Sequence, residues 1–259
     1  MNGAAKPIVI KVGGGALAGG ALEDLSHLVS AGHRVAVVHG GGARLTRMLD
    51  RLGIPTRFHA GLRVTDESTL EVAEIVLAGG VNKDLSRGLG AMGVPAAGIS
   101  GTDGPTLVVE AVPDLGRVGK VVGVQTQLIE ALWEGGFVPV VAPLGLGPEG
   151  AYNVNADSAA AALAVGLGAG HLFLLTDVDG LLEEGETVGK IAPEKCEDYV
   201  DRGLAAGGMV PKLRAAAEAA RGGVESRILN GNRKGTLAAA VAGEQVGTLI
   251  SEGVAACRQ

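Results

Sequence analysis

Short runs rich in Val and Ile alternate along this chain with longer stretches rich in Ala and Leu. Residues 7–12 (PIVIKV) are almost continuously apolar, the pattern of a strand covered on both faces. Residues 34–38, 94–99, 137–141, 171–175 and 224–229 repeat that pattern, and 246–250 reads as a closing strand. Between them, residues 21–31, 43–52, 125–134, 157–167, 194–202, 211–221 and 236–241 read as helices. The helix at 43–52 stops at Gly53 and Pro55, a normal termination signal. Residues 69–92 predict a long helix kinked at Gly79–Gly80. Residues 107–124, with alternating Val and several Gly, predict hairpins. Strands alternating with helices of this length predict an α/β sandwich around a mainly parallel sheet. No repeat, low-complexity segment or linker divides the chain. A soft boundary near 143–152 splits it into two lobes that share one sheet.

Length and composition narrow the function. A chain of 259 residues makes one large or two small domains and buries enough surface to need no disulfide or metal staple. Cys196 and Cys257 match no metal-ligand spacing, so a reducing compartment fits best. The 22 basic residues against 28 acidic ones, and an aromatic content of 2%, argue against nucleic acid as a partner. Residues 1–7 lack a signal-peptide pattern, and residues 159–175 are too broken by Gly and His to span a membrane. A soluble cytoplasmic protein is expected. Glycine is the outlier, at 44 residues. Clustered between apolar runs, it suits sharp strand-to-helix turns whose backbone N–H groups approach an anion.

Two such turns stand out. Lys11-Val12-Gly13-Gly14-Gly15 closes the first strand, and His39-Gly40-Gly41-Gly42 closes the second. Gly13-x-Gly15-x-x-Ala18 fits the dinucleotide fingerprint, but that reading wants an acidic residue at the end of the second strand, where His39 stands. His39–Gly42 resembles an esterase oxyanion segment, but Gly98-Ile99-Ser100-Gly101-Thr102 lacks the last glycine of a nucleophile elbow. No P-loop occurs. The plainer alternative is that these glycines let helices pack close on strands. Three charged positions add to the turns: Lys11, Asp157 in Asn153-Val154-Asn155-Ala156-Asp157, and Lys212 in Gly207-Gly208-Met209-Val210-Pro211-Lys212. Either lysine alone reads equally well as a solvated charge, and Asp157 as a helix cap. Arg63, in Gly61-Leu62-Arg63-Val64-Thr65, is a surface charge or a fork for a substrate carboxylate. Asp177-Val178-Asp179-Gly180 is a plain turn or a nucleotide-contacting loop.

These motifs, in this order and with a closing Gly247-Thr248, resemble the amino acid kinase superfamily over nearly the whole chain, and within it the branch that acts on N-acetyl-L-glutamate. The resemblance implies an open three-layer αβα sandwich. Residues 1–150 would form an N-terminal lobe for the amino-acid substrate and dimerisation, and residues 151–259 a C-terminal lobe for ATP. It implies that Lys11 and Lys212 stabilise the transferring phosphoryl group while Asp157 holds both ammonium groups. Gly13, Gly14, Gly41 and Gly42 would offer backbone N–H groups to phosphate and substrate, and Arg63 and Asn153 would bind the amino acid. Asp177, Val178, Asp179, Gly180, Leu181 and Leu182, with Leu204, Ala205 and Ala206, would line the adenine pocket. ATP and Mg²⁺ are the implied cofactors, and transfer of phosphate to the side-chain carboxylate of N-acetyl-L-glutamate, in arginine biosynthesis, is the implied reaction.

Relatives acting on carrier-protein-linked aminoadipate or glutamate usually depart from the full His-Gly-Gly-Gly and Asn-x-Asn-Ala-Asp segments, both of which are intact here. A non-catalytic nucleotide-binding module on the same fold could lose a catalytic lysine, and neither is lost. Arginine-regulated members carry an extra N-terminal helix that links dimers into a hexamer. The first strand here begins about seven residues in, so an arginine-insensitive homodimer is expected, with any PII-type regulator left undecided. Thr102 stands where relatives often place lysine.

Overall fold

The structure is a computed structural model that describes residues 5–13 and 20–252. Its centre is an eight-stranded sheet built from β1 (Ile8–Val12), β2 (Val35–His39), β3 (Ala96–Ser100), β4 (Val138–Ala142), β5 (His171–Thr176), β6 (Lys190–Ile191), β7 (Glu225–Asn230) and β8 (Thr248–Ile250). The strand order is β6-β8-β7-β5-β1-β2-β4-β3. Six strands run parallel, and the edge pair β6–β8 runs against them. The apolar runs therefore became the strands that the pattern required, with β1 at the centre between β5 and β2.

Helices cover both faces: α1 (Ala21–Ser30), α2 (Gly42–Leu52), α3 (Glu67–Ala73), α4 (Asn82–Ala91), α5 (Gln127–Glu134), α6 (Ala156–Gly166), α7 (Cys196–Asp201), α8 (Met209–Arg221) and α9 (Thr236–Val241). The period of two along a strand decides which side chains meet which layer. Ile8, Ile10 and Val12 of β1 pack with Leu25 of α1, Leu89 of α4 and Leu237 of α9. Val9 packs on the opposite face, with Leu163 of α6 and Leu213 of α8.

Two expectations are refined. The long helix at 69–92 runs without a break from α3 to α4, but its middle, Glu74–Val81, is wound as a π-helix that contains Gly79 and Gly80. It starts two residues earlier than expected, because the Asp66 carboxylate accepts the Thr69 N–H and caps the helix there. The hairpin Leu107–Ala111/Val118–Val124 does form, yet it stays out of the main sheet. It closes a small four-stranded barrel with Leu144–Gly147 and Gly150–Val154. The stretch read as a soft boundary, 143–152, is the second hairpin of that barrel. Thr102 sits in the turn after β3, its hydroxyl on Ser100 Oγ at 2.9 Å.

The first and last helices are joined by a buried carboxylate. Asp24 of α1 accepts the N–H groups of Gly235 (2.7 Å) and Leu237 (3.1 Å) and so caps α9 from more than 200 residues away. Asp24→Ala leaves two helix-end donors unpaired and is expected to cost about 1–2 kcal/mol, with Asp24→Asn costing less. Urea unfolding checks this; an unchanged midpoint for Asp24→Ala would refute it.

Candidate active site

The strand alternation that sends Val9 toward α6 and α8 sends Lys11 the same way. There it meets Asp157, the second residue of α6, with Nζ 2.9 Å from Oδ1. Lys212, in the first turn of α8, approaches the other oxygen, with Nζ 3.6 Å from Oδ2, and also donates to the Gly208 carbonyl. The side chains of Lys11 and Asp157 are each only 6% exposed, and that of Lys212 13%. Burial pushes the Lys212 ammonium below the ordinary lysine value. The nearby Lys11 charge pushes the same way, and Asp157 opposes both. Asp157 is not the helix cap. Asn155 takes that role, its Oδ1 accepting the N–H groups of Asp157 (2.9 Å) and Ser158 (3.0 Å), which leaves the Asp157 carboxylate free for the two lysines.

A crevice of about 330 Å³ opens over this triad. Its floor is Gly13 at the end of β1 and Gly40, Gly41 and Gly42 at the end of β2. A Cβ built on Gly41 would lie 2.5 Å from Leu77 Cδ2 and 3.2 Å from Val81 Cγ2, so a side chain there has to push those two aside. Arg63 enters the same crevice. Its guanidinium donates to Thr56 Oγ1 (3.1 Å) and Thr46 Oγ1 (2.7 Å) and lies over the Phe58 ring at 4.7 Å from the centroid. Asn153 lines the crevice too and donates to Thr65 Oγ1 at 3.1 Å, and Thr65 in turn donates to the Arg63 carbonyl. The segment carrying the arginine is thus tied to the strand that leads into α6.

Of the residues singled out in the sequence, Lys11, Gly13, Gly41, Gly42, Arg63, Asn153, Asp157 and Lys212 share this one crevice. Gly14 lies outside the described residues. The segment Asp177–Leu182 follows the C-terminal end of β5 and does not line the crevice. Asp177, Val178 and Leu182 are exposed, Gly180 is buried, and Asp179 accepts from Asn230 Nδ2 and pairs with Arg233. Asp179 also borders a second cavity, in front of α9. Leu181 is buried in the core, its N–H donated to Thr248 Oγ1. Leu204, Ala205 and Ala206 form the turn between α7 and α8; Ala205 is buried and Ala206 exposed.

Among the described residues no group of three or more His, Cys, Asp or Glu side chains could hold a metal ion. The one carboxylate in the crevice is already shared by two ammonium groups, so the donor set does not fit a cation held by the protein itself. Also among the described residues, no helix is long and apolar enough to cross a membrane.

Sequence reasoning missed the apolar side of the crevice: Leu45, Phe58, Leu62, Leu77, Val118 and Pro143. The periodicity marks Leu45 and Leu77 as apolar helix positions but does not say that they face a crevice.

Paired ammonium groups on one buried carboxylate, beside Gly13 and the Gly40–Gly42 turn in an open αβα sandwich, define an enzyme that handles a transferring anionic group. This chain belongs to the amino acid kinase family, whose profile matches residues 6–230. It is 71% identical over 247 residues to the acetylglutamate kinase of Rubrobacter xylanophilus, covering 95% of this chain and 98% of that one. Among solved structures it is similar to smu.665 from Streptococcus mutans (TM-score 0.84, 30% identity, 95% of this chain and 98% of that one). It is also similar to the N-acetylglutamate synthase of Neisseria gonorrhoeae in complex with coenzyme A and N-acetyl-glutamate (TM-score 0.81, 27% identity, 96% of this chain and 60% of that one).

The charge arrangement fixes the sign of a titration. In Asp157→Asn, burial and the Lys11 charge still disfavour the Lys212 ammonium while the opposing carboxylate is gone, so Lys212 loses its proton at lower pH than in the parent. NMR of ¹³C-dimethylated lysines is expected to record that downward shift; a titration that stays put or moves up contradicts the arrangement.

Proposed function

We propose that this protein transfers the γ-phosphoryl group of ATP to the side-chain carboxylate of N-acetyl-L-glutamate, giving an acyl phosphate and ADP, a step of arginine biosynthesis. The observation that carries the reading is that Lys11, Asp157 and Lys212 share one crevice with Arg63 and Asn153. The 71% identity to an acetylglutamate kinase supports the choice of acceptor.

A glutamate-type carboxylate has a pKa near ~4.3 and is ionised at neutral pH, so its attack needs no general base. One carboxylate oxygen bonds to phosphorus as the bond to the bridging oxygen of ADP breaks, the two roughly in line. The obstacle is repulsion between two anions. Lys11 and Lys212 place positive charge where negative charge gathers, and Asp157 fixes both ammonium groups before the substrates arrive. The N–H groups of the glycine turns add donors that need no reorganisation. Arg63 takes a carboxylate of the acceptor, with Asn153 beside it. Mg²⁺ would enter with ATP and help neutralise its phosphate charge, since the crevice offers it no free carboxylate. Residues 1–150 serve the amino acid and the dimer contact, and residues 151–259 serve ATP, with Asp177–Leu182 and Leu204–Ala206 around the adenine. The working form is a cytoplasmic homodimer.

ADP release measured with N-acetyl-L-glutamate, L-glutamate, aminoadipate and carrier-linked glutamate is expected to favour the first. Preference for the carrier-linked acceptor would reassign the substrate. Lys212→Ala is expected to keep the fold and lose about 10²–10³ in kcat, as removal of one preorganised electrostatic group does elsewhere; turnover within a few-fold of the parent would exclude Lys212 from the chemistry.

A further inference from the structure

His39 has no part in the chemistry above, yet it is fully buried at the end of β2, directly before the glycine turn. The alternation along β2 sends it away from the triad, toward the layer of α4. There its Nε2 lies 3.2 Å from Nδ2 of Asn82, the first residue of α4 and also fully buried. Asn82 Nδ2 further donates to the carbonyls of Val140 (2.8 Å) and Ile99 (3.1 Å), on β4 and β3. The amide's two hydrogens serve those two carbonyls, and its nitrogen has no lone pair to offer, so an Nε2–H would point at a group that cannot accept it. Nε2 is therefore the unprotonated nitrogen, and the ring proton sits on Nδ1. Nδ1 lies 2.8 Å from the Gly40 carbonyl and donates to it. Burial holds the imidazole at a pKa of about 4, so it remains neutral. The niche is tailored to Asn82: a Cβ built on Gly98 would lie 1.9 Å from Asn82 Oδ1.

The Gly40 carbonyl and the Gly41 N–H belong to one planar trans peptide and point in opposite directions. Fixing the carbonyl on the imidazole therefore turns the N–H away from the α4 layer. The Gly40 N–H is itself donated to the Val12 carbonyl at 2.8 Å, so the residue is held on both sides. Among the described residues, no acceptor partners the Gly41 N–H. We propose that His39, as the Nδ1-protonated neutral tautomer fixed by Asn82, is a positioning residue that aims the Gly41 N–H into the crevice at the anionic group bound there. The assignment deepens the proposed phosphoryl-transfer role of the glycine turn and rests on it.

Two replacements separate positioning from mere filling of space. An Asn side chain places its amide near Nδ1 and can still donate to Gly40. A Gln side chain reaches the Nε2 position and keeps the contact with Asn82, but abandons Gly40. H39N is therefore expected to retain at least tenfold more kcat than H39Q, although Gln is closer to His in volume, because aiming one donor is worth about that much or more. KM for ATP should move less than kcat in both. H39Q matching or exceeding H39N in kcat, or rates that simply follow melting temperature, would overturn the proposal. A second measurement needs no known substrate. ¹⁵N-histidine spectra of the parent protein should show one neutral ring protonated at Nδ1, whose signals shift to those of a different ring state in N82D. A parent spectrum showing Nε2–H or imidazolium for His39 overturns the proposal outright. A parent protein that transfers no phosphate to any acceptor, with the Nδ1–H tautomer present, would instead overturn the functional reading on which the proposal rests.

Discussion

Two ammonium groups held on a single carboxylate, nearly out of reach of water, are the constraint around which this molecule is organised. Burying a charge is costly unless it is paired, and here the pairing is incomplete by one: two positive charges face one negative. The surplus shows in Lys212, whose ammonium is disfavoured by burial and by Lys11 and only partly rescued by Asp157. Such a site is preorganised for an anion, because a bound polyanion supplies the missing countercharge and receives donors already in position. The cost of assembling like charges is met by folding and not at the moment of reaction.

The fold meets that cost by taking each charge from a different rigid element. Lys11 comes from the central strand of the sheet, with β5 on one side and β2 on the other, and has little freedom to retreat. Asp157 is set by a helix start whose capping is done by Asn155, two residues earlier. Lys212 comes from the first turn of α8, which packs beside α6 on the same face of the sheet. Displacing the backbone that carries any one of the three means moving a strand or a helix against a packed layer, and close-packed interiors resist such shifts.

Much of this is legible along the chain. The apolar runs name the strands, and the period of two on β1 already places Lys11 opposite Ile10 and beside Val9. The three charged positions stand next to glycine turns or helix starts, where their motifs locate them. What is not legible depends on contacts distant in sequence. Nothing near Asn155 or Asp157 says which of the two caps the helix; the answer comes from the lysines that claim Asp157. The hairpin at 107–124 shows its alternation, but its partner is the hairpin at 144–154, and no local pattern says that the pair will close apart from the main sheet. Leu181 and Ala205 sit in segments that resemble a nucleotide pocket, yet both are core residues, because a segment can border a site while its apolar members pack beneath it.

The π-wound segment is the hardest feature to foresee and has a clear geometric use. Leu77 closes against Gly41 at the crevice, and Asn82 reaches His39 at the end of β2. These two targets are only two residues apart on one turn, so one side of a single helix must present both. In a regular α-helix, with 3.6 residues per turn, positions five apart point about 140° away from each other. The wider i→i+5 winding between Glu74 and Val81 brings such positions back toward one side. The irregular turn thus lets one helix meet both the crevice wall and the imidazole at the end of β2.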